Sequence, residues 1–147
     1  MKMKLSEAIL FGSMITEPTT GDEFFGDHDG VVCRACAYGA AWVALVGTDA
    51  RVLRDDGHPT MLSYFPILKH KATCPVCTDN RMVAPVVWVD NRDECWSWLA
   101  NVISHLFEEH HWSRERIAAW VATIEEQSAI TATETPVATM VEAVEVQ

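Results

Sequence analysis

Two amphipathic helical patterns between Asp93 and Glu126 restrict the fold most. In the first pattern, apolar and aromatic side chains recur at steps of three and four residues, which places them on one helical face: Trp96, Leu99, Ile103, Leu106, Phe107 and His110. Ser113 is positioned to cap a second helix, whose inward residues are Ile117, Trp120, Val121 and Ile124. Trp112 and Ile117 have the spacing of a hydrophobic staple. The short connection predicts an αα-hairpin.

Two further helices are expected nearer the N-terminus. The first begins at Ser6 and places five residues on one face: Leu5, Ala8, Ile9, Gly12 and Ile15. On that face, Gly12 allows a neighbouring element to come close. The second helix covers residues 34–46, is rich in small side chains, and is stopped by Gly47.

The segments between these helices are predicted to be irregular. We expect a loop over residues 18–30, a turn at residues 55–59, and a short edge strand over residues 82–89 that Pro85 restricts. Together these features predict a mainly α fold, a small helical bundle with a minor β element, in the form of a strand pair near the second C-x2-C. The 147 residues fit one compact domain, residues 1–127, followed by an acidic tail, residues 128–147.

Charge and hydropathy exclude some functions. The chain has 11 Lys and Arg against 21 Asp and Glu, a formal net charge of −10, which disfavours direct binding to nucleic acid. No apolar run approaches the roughly 18–20 residues that span a bilayer. Glu7 interrupts the N-terminal apolar stretch, which therefore predicts a helix instead of a signal peptide. A cytoplasmic protein with reduced thiols is the expectation.

Two C-x2-C pairs, Cys33 with Cys36 and Cys74 with Cys77, carry the strongest chemical signal. Two such pairs supply four thiolates, which suit Zn²⁺ in a closed structural site. We therefore predict structural zinc on these four cysteines. The competing interpretation is that Cys33 and Cys36 are ordinary packed thiols, because free cysteine packs well in cores.

A second possible site combines Cys74 and Cys77 with His105 and His110, and His111 is an alternative to His110. Residues five apart on a helix point about 140° away from each other, so this set requires the helix to end near Glu109. Alternatively, His110 only caps the carbonyl end of its helix and His105 is half-buried. Redox catalysis of the glutaredoxin type by the Cys74-Pro75-Val76-Cys77 motif is not expected, because turn residues and not a helix follow it.

The hairpin also carries a family resemblance. His105-Leu106, His110 and residues 112–121 resemble the motif H-L-N-D-x-H-x-W-[S/T]-R-E-x-I-A-x-W of a family of short, uncharacterised bacterial and phage proteins. Leu5 to Ile9 is similar to the family's L-S-E-A-I helix, and Cys36 to Ala41 to its C-A-L-G-A-A segment. Tyr38 replaces a Leu of the pattern, and Phe107-Glu108 replaces Asn-Asp. The resemblance implies a shared fold without an assigned activity.

These observations favour a non-enzymatic binding or regulatory protein with structural zinc and no catalytic residue, and the resemblance implies that it is phage-derived. Its acidic charge suits a protein partner that has a basic surface. One alternative is a small zinc-dependent hydrolase in which Cys74, Cys77 and one histidine leave an open metal position for water and Glu109 acts as base. The other alternative is a helical scaffold that binds no metal. The oligomeric state is left open.

Overall fold

The computed structural model describes residues 3–20, 23–84, 87 and 97–129. The elements begin with helix α1 (Leu5–Ile15), strands β1 (Glu17–Pro18), β2 (Phe25–His28) and β3 (Val31–Ala35), and helices α2 (Ala37–Val46) and α3 (Ala50–Tyr64). A 3-10 turn (Pro66–Lys69), helix α4 (Leu99–Glu108) and helix α5 (residues 114–129) follow. The fold is mainly α with a minor β element, which confirms the predicted class.

Helix α1 packs closely against α2, whose residues 37–43 are all buried. Leu5, Ala8 and Ile9 of α1 are buried, as their helical spacing predicted, whereas Ile15 is about half exposed. The close approach predicted at Gly12 is confirmed, because a Cβ built there would lie 1.8 Å from the carbonyl oxygen of Ala40 on α2. The helix pair therefore packs backbone against backbone.

The sheet lies where a loop was expected. The Asp29-Gly30 pair has positive φ at both residues, 52° and 81°, which is the two-residue turn that joins antiparallel strands β2 and β3. Strand β1 pairs with β3 in parallel, so the strand order is β1-β3-β2. The expected loop over residues 18–30 is therefore wrong for β2.

The β element thus precedes α2 instead of adjoining the second C-x2-C. Near that motif, the described residues contain only the isolated bridge between Lys71 and Trp98. Much of the strand predicted over residues 82–89 lies outside the described residues, and residues 82–84 and 87 are not extended strand. Because β3 pairs as far as Ala35, helix α2 begins at Ala37 and not at Arg34. Gly47, with φ of 104°, ends α2 as predicted.

Helix α3 occupies residues that were expected to be irregular. The predicted turn at residues 55–59 is a kink within this helix, where Gly57 has φ of 77° and Pro59 follows. At the kink, the ring of His58 packs among three aromatic rings and its Nδ1 lies 3.1 Å from the Tyr38 hydroxyl. Burial lowers the pKa of His58.

Helix α5 contacts both ends of α1. Ser113 caps α5 as predicted, since its Oγ accepts from the backbone N–H of Arg116 at 3.0 Å. Near the end of α5, the Glu125 carboxylate accepts from the backbone N–H of Ser6 at 3.3 Å and from the Ser6 hydroxyl. An anion therefore faces the positive end of the α1 dipole.

At the start of α5, the Arg114 guanidinium lies at the opposite end of α1. It donates to the Thr16 hydroxyl and carbonyl, both at 2.8 Å, to the Ser13 carbonyl at 3.2 Å and to the Ala35 carbonyl at 3.3 Å. Arg114 is only 5% exposed, and burial lowers its pKa. This cation stabilises carbonyls that α1 leaves without helical partners.

The predicted αα-hairpin corresponds to α4 and α5. Residues 93–96 of the first pattern lie outside the described residues, and the helix is observed from Leu99. Leu99, Ile103, Leu106 and Ile117 are fully buried. Helix α5 is observed to residue 129, and the rest of the predicted tail lies outside the described residues. In the part of the chain that the structure describes, no helix combines the length and the hydrophobicity needed to cross a membrane.

Candidate metal centre

Four potential metal ligands converge beside α4. One ligand atom each from Cys74, Cys77, His105 and His110 lies within 4.8 Å of all the others. Among the described residues, this is the one group of three or more Cys, His, Asp or Glu side chains that meets such a limit. The four residues could therefore bind a metal ion.

Three of the distances, those among Cys77 Sγ and the two histidine Nε2 atoms, fit ligands of one tetrahedral ion. Cys77 Sγ lies 3.4 Å from His105 Nε2 and 3.2 Å from His110 Nε2, and the two Nε2 atoms are 3.1 Å apart. Zinc bonds of about 2.3 Å to sulfur and about 2.0–2.1 Å to nitrogen, at tetrahedral angles, separate sulfur from nitrogen by about 3.6 Å and two nitrogens by about 3.3 Å. These three spacings are therefore within a few tenths of an ångström of those in a zinc site, and Cys74 contributes a ligand atom within the 4.8 Å limit of the group.

The cysteines are supplied by a tight loop. The Cys74 carbonyl accepts from the backbone N–H of Thr78 at 2.9 Å, and the Cys77 backbone N–H points to Cys74 Sγ at 3.4 Å. Thr78 has φ of 60°, which turns the chain back after the second cysteine. Both sulfurs are thus presented on the same side of the loop, and Cys74 is fully buried while Cys77 is half-buried.

Asn80 fixes the base of this loop. Its Oδ1 accepts from the Cys74 backbone N–H at 3.0 Å, and its Nδ2 donates to the Ala72 carbonyl at 2.8 Å. The segment is tied to the start of α4 by bonds from the Ala72 N–H to the Ser97 carbonyl and from the Leu99 N–H to the His70 carbonyl, both at 2.8 Å. The sequence predicted turn residues after the C-x2-C motif but gave no signal for this orienting role of Asn80.

The two histidines meet because α4 ends between them. His105 is 4% exposed on the last turn of the helix, and α4 ends at Glu108. His111 then takes a left-handed φ of 55°, and the Trp112 N–H returns to the Leu106 carbonyl at 3.1 Å. His110 therefore lies outside the helix, where the angular conflict expected for residues five apart does not apply.

Two members of the cluster, His105 and Cys77, have pKa values that favour their neutral forms. Burial lowers the pKa of His105, and the neighbouring His110 adds to this effect. Burial also raises the pKa of Cys77, and the hydrogen bond and charge of Cys74 raise it further. Neutral imidazole is the ligand form of histidine, and a bound cation compensates the charge of a thiolate.

Among the described residues, Cys33 and Cys36 do not belong to this cluster, so the predicted four-cysteine set is not assembled. Cys36 is the N-cap of α2, where its Sγ accepts from the Gly39 backbone N–H at 3.2 Å, and burial raises its pKa to about 12. Cys33 lies half-buried on β3, with Sγ 3.8 Å from the Gly26 carbonyl oxygen. Local packing therefore accounts for both residues.

The arrangement also bears on the hydrolase alternative. That alternative needs one histidine and an open position, whereas His105 and His110 both direct Nε2 at Cys77 Sγ. Four protein ligands complete a tetrahedron, and a closed zinc site of this kind has no coordination position for substrate water. His111, the alternative ligand, is not a member of the cluster.

No protein-family model, no curated protein and no solved structure matches this chain.

Proposed function

We propose that this protein is a non-enzymatic binding protein whose fold is stabilised by one structural Zn²⁺ held by Cys74, Cys77, His105 and His110. The observation that supports it is the mutual spacing of the ligand atoms, all within 4.8 Å. The proposed ion joins the loop at residues 74–80 to the end of α4, two segments that are far apart in the sequence.

The donor set favours zinc over other ions. Two thiolates disfavour Mg²⁺ and Ca²⁺, which prefer oxygen ligands, and a compact tetrahedral S2N2 set is typical of Zn²⁺. A binuclear iron–sulfur cluster with two Cys and two His ligands uses different irons for each pair. The contacts of 3.2–3.4 Å between Cys77 Sγ and both Nε2 atoms instead suit ligands of a single ion.

The binding role is supported by charge. A formal net charge of −10 suits a partner protein with a basic surface, and association of this kind weakens as salt rises. A reducing compartment such as the cytoplasm would keep the thiols available for the metal.

The acidic tail can be tested separately. If it contributes to binding, a chain that ends at residue 129 should lose partners in a pull-down. Identical partner sets for the two chains would count against a role for the tail.

The decisive experiment is metal analysis of the purified chain and its cysteine variants. We expect one zinc per chain in the wild type and its loss in Cys77→Ser, because three ligands bind less tightly than four. Cys33→Ser is the matched control, since Cys33 is also half-buried, and it should keep the zinc. Cys36→Ala should keep it as well, at a cost of about 1 kcal/mol for the lost N-cap.

Cobalt substitution tests the ligand set independently. Co²⁺ in the site should give the intense visible d–d bands of tetrahedral coordination and a near-ultraviolet band of sulfur-to-metal charge transfer. His110→Ala should change the visible bands. If the Cys77→Ser variant keeps its zinc while Cys33→Ser or Cys36→Ala loses it, this ligand set is refuted in favour of the other C-x2-C pair. Folded wild-type protein that binds neither metal would refute the site, and an exchangeable metal-bound water would support the hydrolase alternative instead.

A further inference from the structure

The two cysteines of the cluster differ in access to solvent. Cys74 is fully buried, whereas Cys77 is half-buried, and its neighbours Pro75 and Val76 are exposed. Their Sγ atoms lie within the 4.8 Å limit of the group, and the loop already turns the Cys77 backbone N–H toward Cys74 Sγ at 3.4 Å. An accessible thiol beside a buried one is the arrangement of an attacking and a resolving cysteine.

From this juxtaposition, we propose that the Cys74–Cys77 pair is a site of reversible oxidation by peroxide, and that formation of its disulfide releases the metal. The inference rests on the proposed zinc site, because it concerns the regulation of that site. The segment 74–80 would lose its tie to His105 and His110. Its base would stay attached through the bonds of Ala72 and Leu99 to the opposing backbone.

The chemistry balances with hydrogen peroxide as the oxidant. The Cys77 thiolate attacks one peroxide oxygen, so that an S–O bond forms, the O–O bond breaks and hydroxide leaves. The Cys74 thiolate then attacks the Cys77 sulfur, so that the S–S bond forms, the S–O bond breaks and a second hydroxide leaves. The two thiolates lose two electrons to the peroxide, and Zn²⁺ departs because only two neutral histidines remain as ligands.

The other described cysteines lack this combination of features. Cys36 is buried and its sulfur accepts a hydrogen bond at the start of α2, and Cys33 is half-buried on a paired strand outside the cluster. Cys33→Ser therefore removes a thiol of similar exposure without changing the proposed site. It is the matched control for oxidation as well as for metal binding.

The test uses the zinc-loaded full chain titrated with hydrogen peroxide. A chromogenic chelator measures released zinc, and mass spectrometry follows the tryptic peptide of residues 72–81, which contains both cysteines of the pair. We expect one zinc released for each peptide that loses two hydrogen atoms, and a reductant with added zinc should restore the loaded protein. Cys33→Ser should respond as the wild type does.

The outcomes separate this inference from the proposed function. Protein that never binds zinc refutes the zinc site and the inference with it. Protein that binds one zinc but keeps both the metal and the two thiols under peroxide refutes only the oxidation site. The proposed oxidation site is also refuted if zinc is released without the Cys74–Cys77 disulfide, or if the disulfide forms while the metal stays bound.

Discussion

Replacement of Arg114 by Met should be among the most destabilising single changes in this chain. The guanidinium is 5% exposed and donates to four oxygen atoms, of which three are backbone carbonyls. A hydrogen bond to a charged group contributes about 1.5–3 kcal/mol, but bonds made by one side chain are not additive. The Ala35 carbonyl keeps the Thr19 N–H as a donor at 3.3 Å, but any buried carbonyl that loses its only donor adds to the cost. We therefore expect a loss of about 3–5 kcal/mol, a large part of a typical free energy of unfolding.

Urea denaturation followed by circular dichroism measures this loss. Arg116→Met is the matched control: Arg116 is exposed on the same helix, and its guanidinium lies 3.9 Å from the centre of the Trp112 ring. Such an exposed contact contributes about 0.5–1 kcal/mol. Arg114→Lys, which keeps the charge but loses the fork of donors, should fall between the two. If Arg114→Met costs no more than Arg116→Met, the reasoning about the end of α1 is wrong.

Two further predictions concern the core. Gly12→Ala should lower the free energy of unfolding by about 1–3 kcal/mol, because the added Cβ meets the Ala40 carbonyl. This loss should appear although alanine favours helix more than glycine does. Met14→Ala, at an exposed position of the same helix, is the control in the same urea assay. Because burial lowers the pKa of His58, the unfolded chain binds more protons, so stability should fall as pH drops from about 7.5 to about 5. In His58→Gln, the free energy of unfolding should fall less steeply with decreasing pH than in the wild type. His28→Gln, at an exposed position, is the control and should keep the wild-type slope. Equal slopes in His58→Gln and the wild type would contradict this role of His58.

Sequence periodicity predicted the helices whose burial pattern is local. The buried face of α1 and the N-cap of α5 could be predicted in this way, because apolar spacing and capping depend on residues a few positions apart. The hairpin of β2 and β3 was missed although Asp29-Gly30 is a strong turn signal. Its polar and glycine residues were assigned to a loop, and strand β1 has only two residues to identify it.

Helix α3 was missed for a different reason. Gly57 and Pro59 indicate a turn locally, but residues on both sides of the kink, such as Leu53 and Met61, are fully buried in the same core. Tertiary packing therefore continues the helical element through a local break, which no window of sequence around Gly57 reveals.

The candidate site shows the same limit. Spacing identified every cluster residue as a possible ligand, but two pairs could complete the set with Cys74 and Cys77. The choice depends on α4 ending at Glu108 and on Cys36 capping α2, and both follow from the folded chain. Cysteine is not among the usual N-cap residues, so its structural role at position 36 had no sequence signal.

The pairing of α1 with α5 has a consequence for the order of folding. The groups that satisfy the two ends of the first helix are Arg114 and Glu125, separated from their partners by 98 to 119 positions. During synthesis, the first helix emerges long before these partners exist, so its termini must stay solvated or pair elsewhere in the interval. The end contacts of α1 therefore form only after residues 114–125 have been synthesised, and a chain stopped before residue 114 lacks both of them.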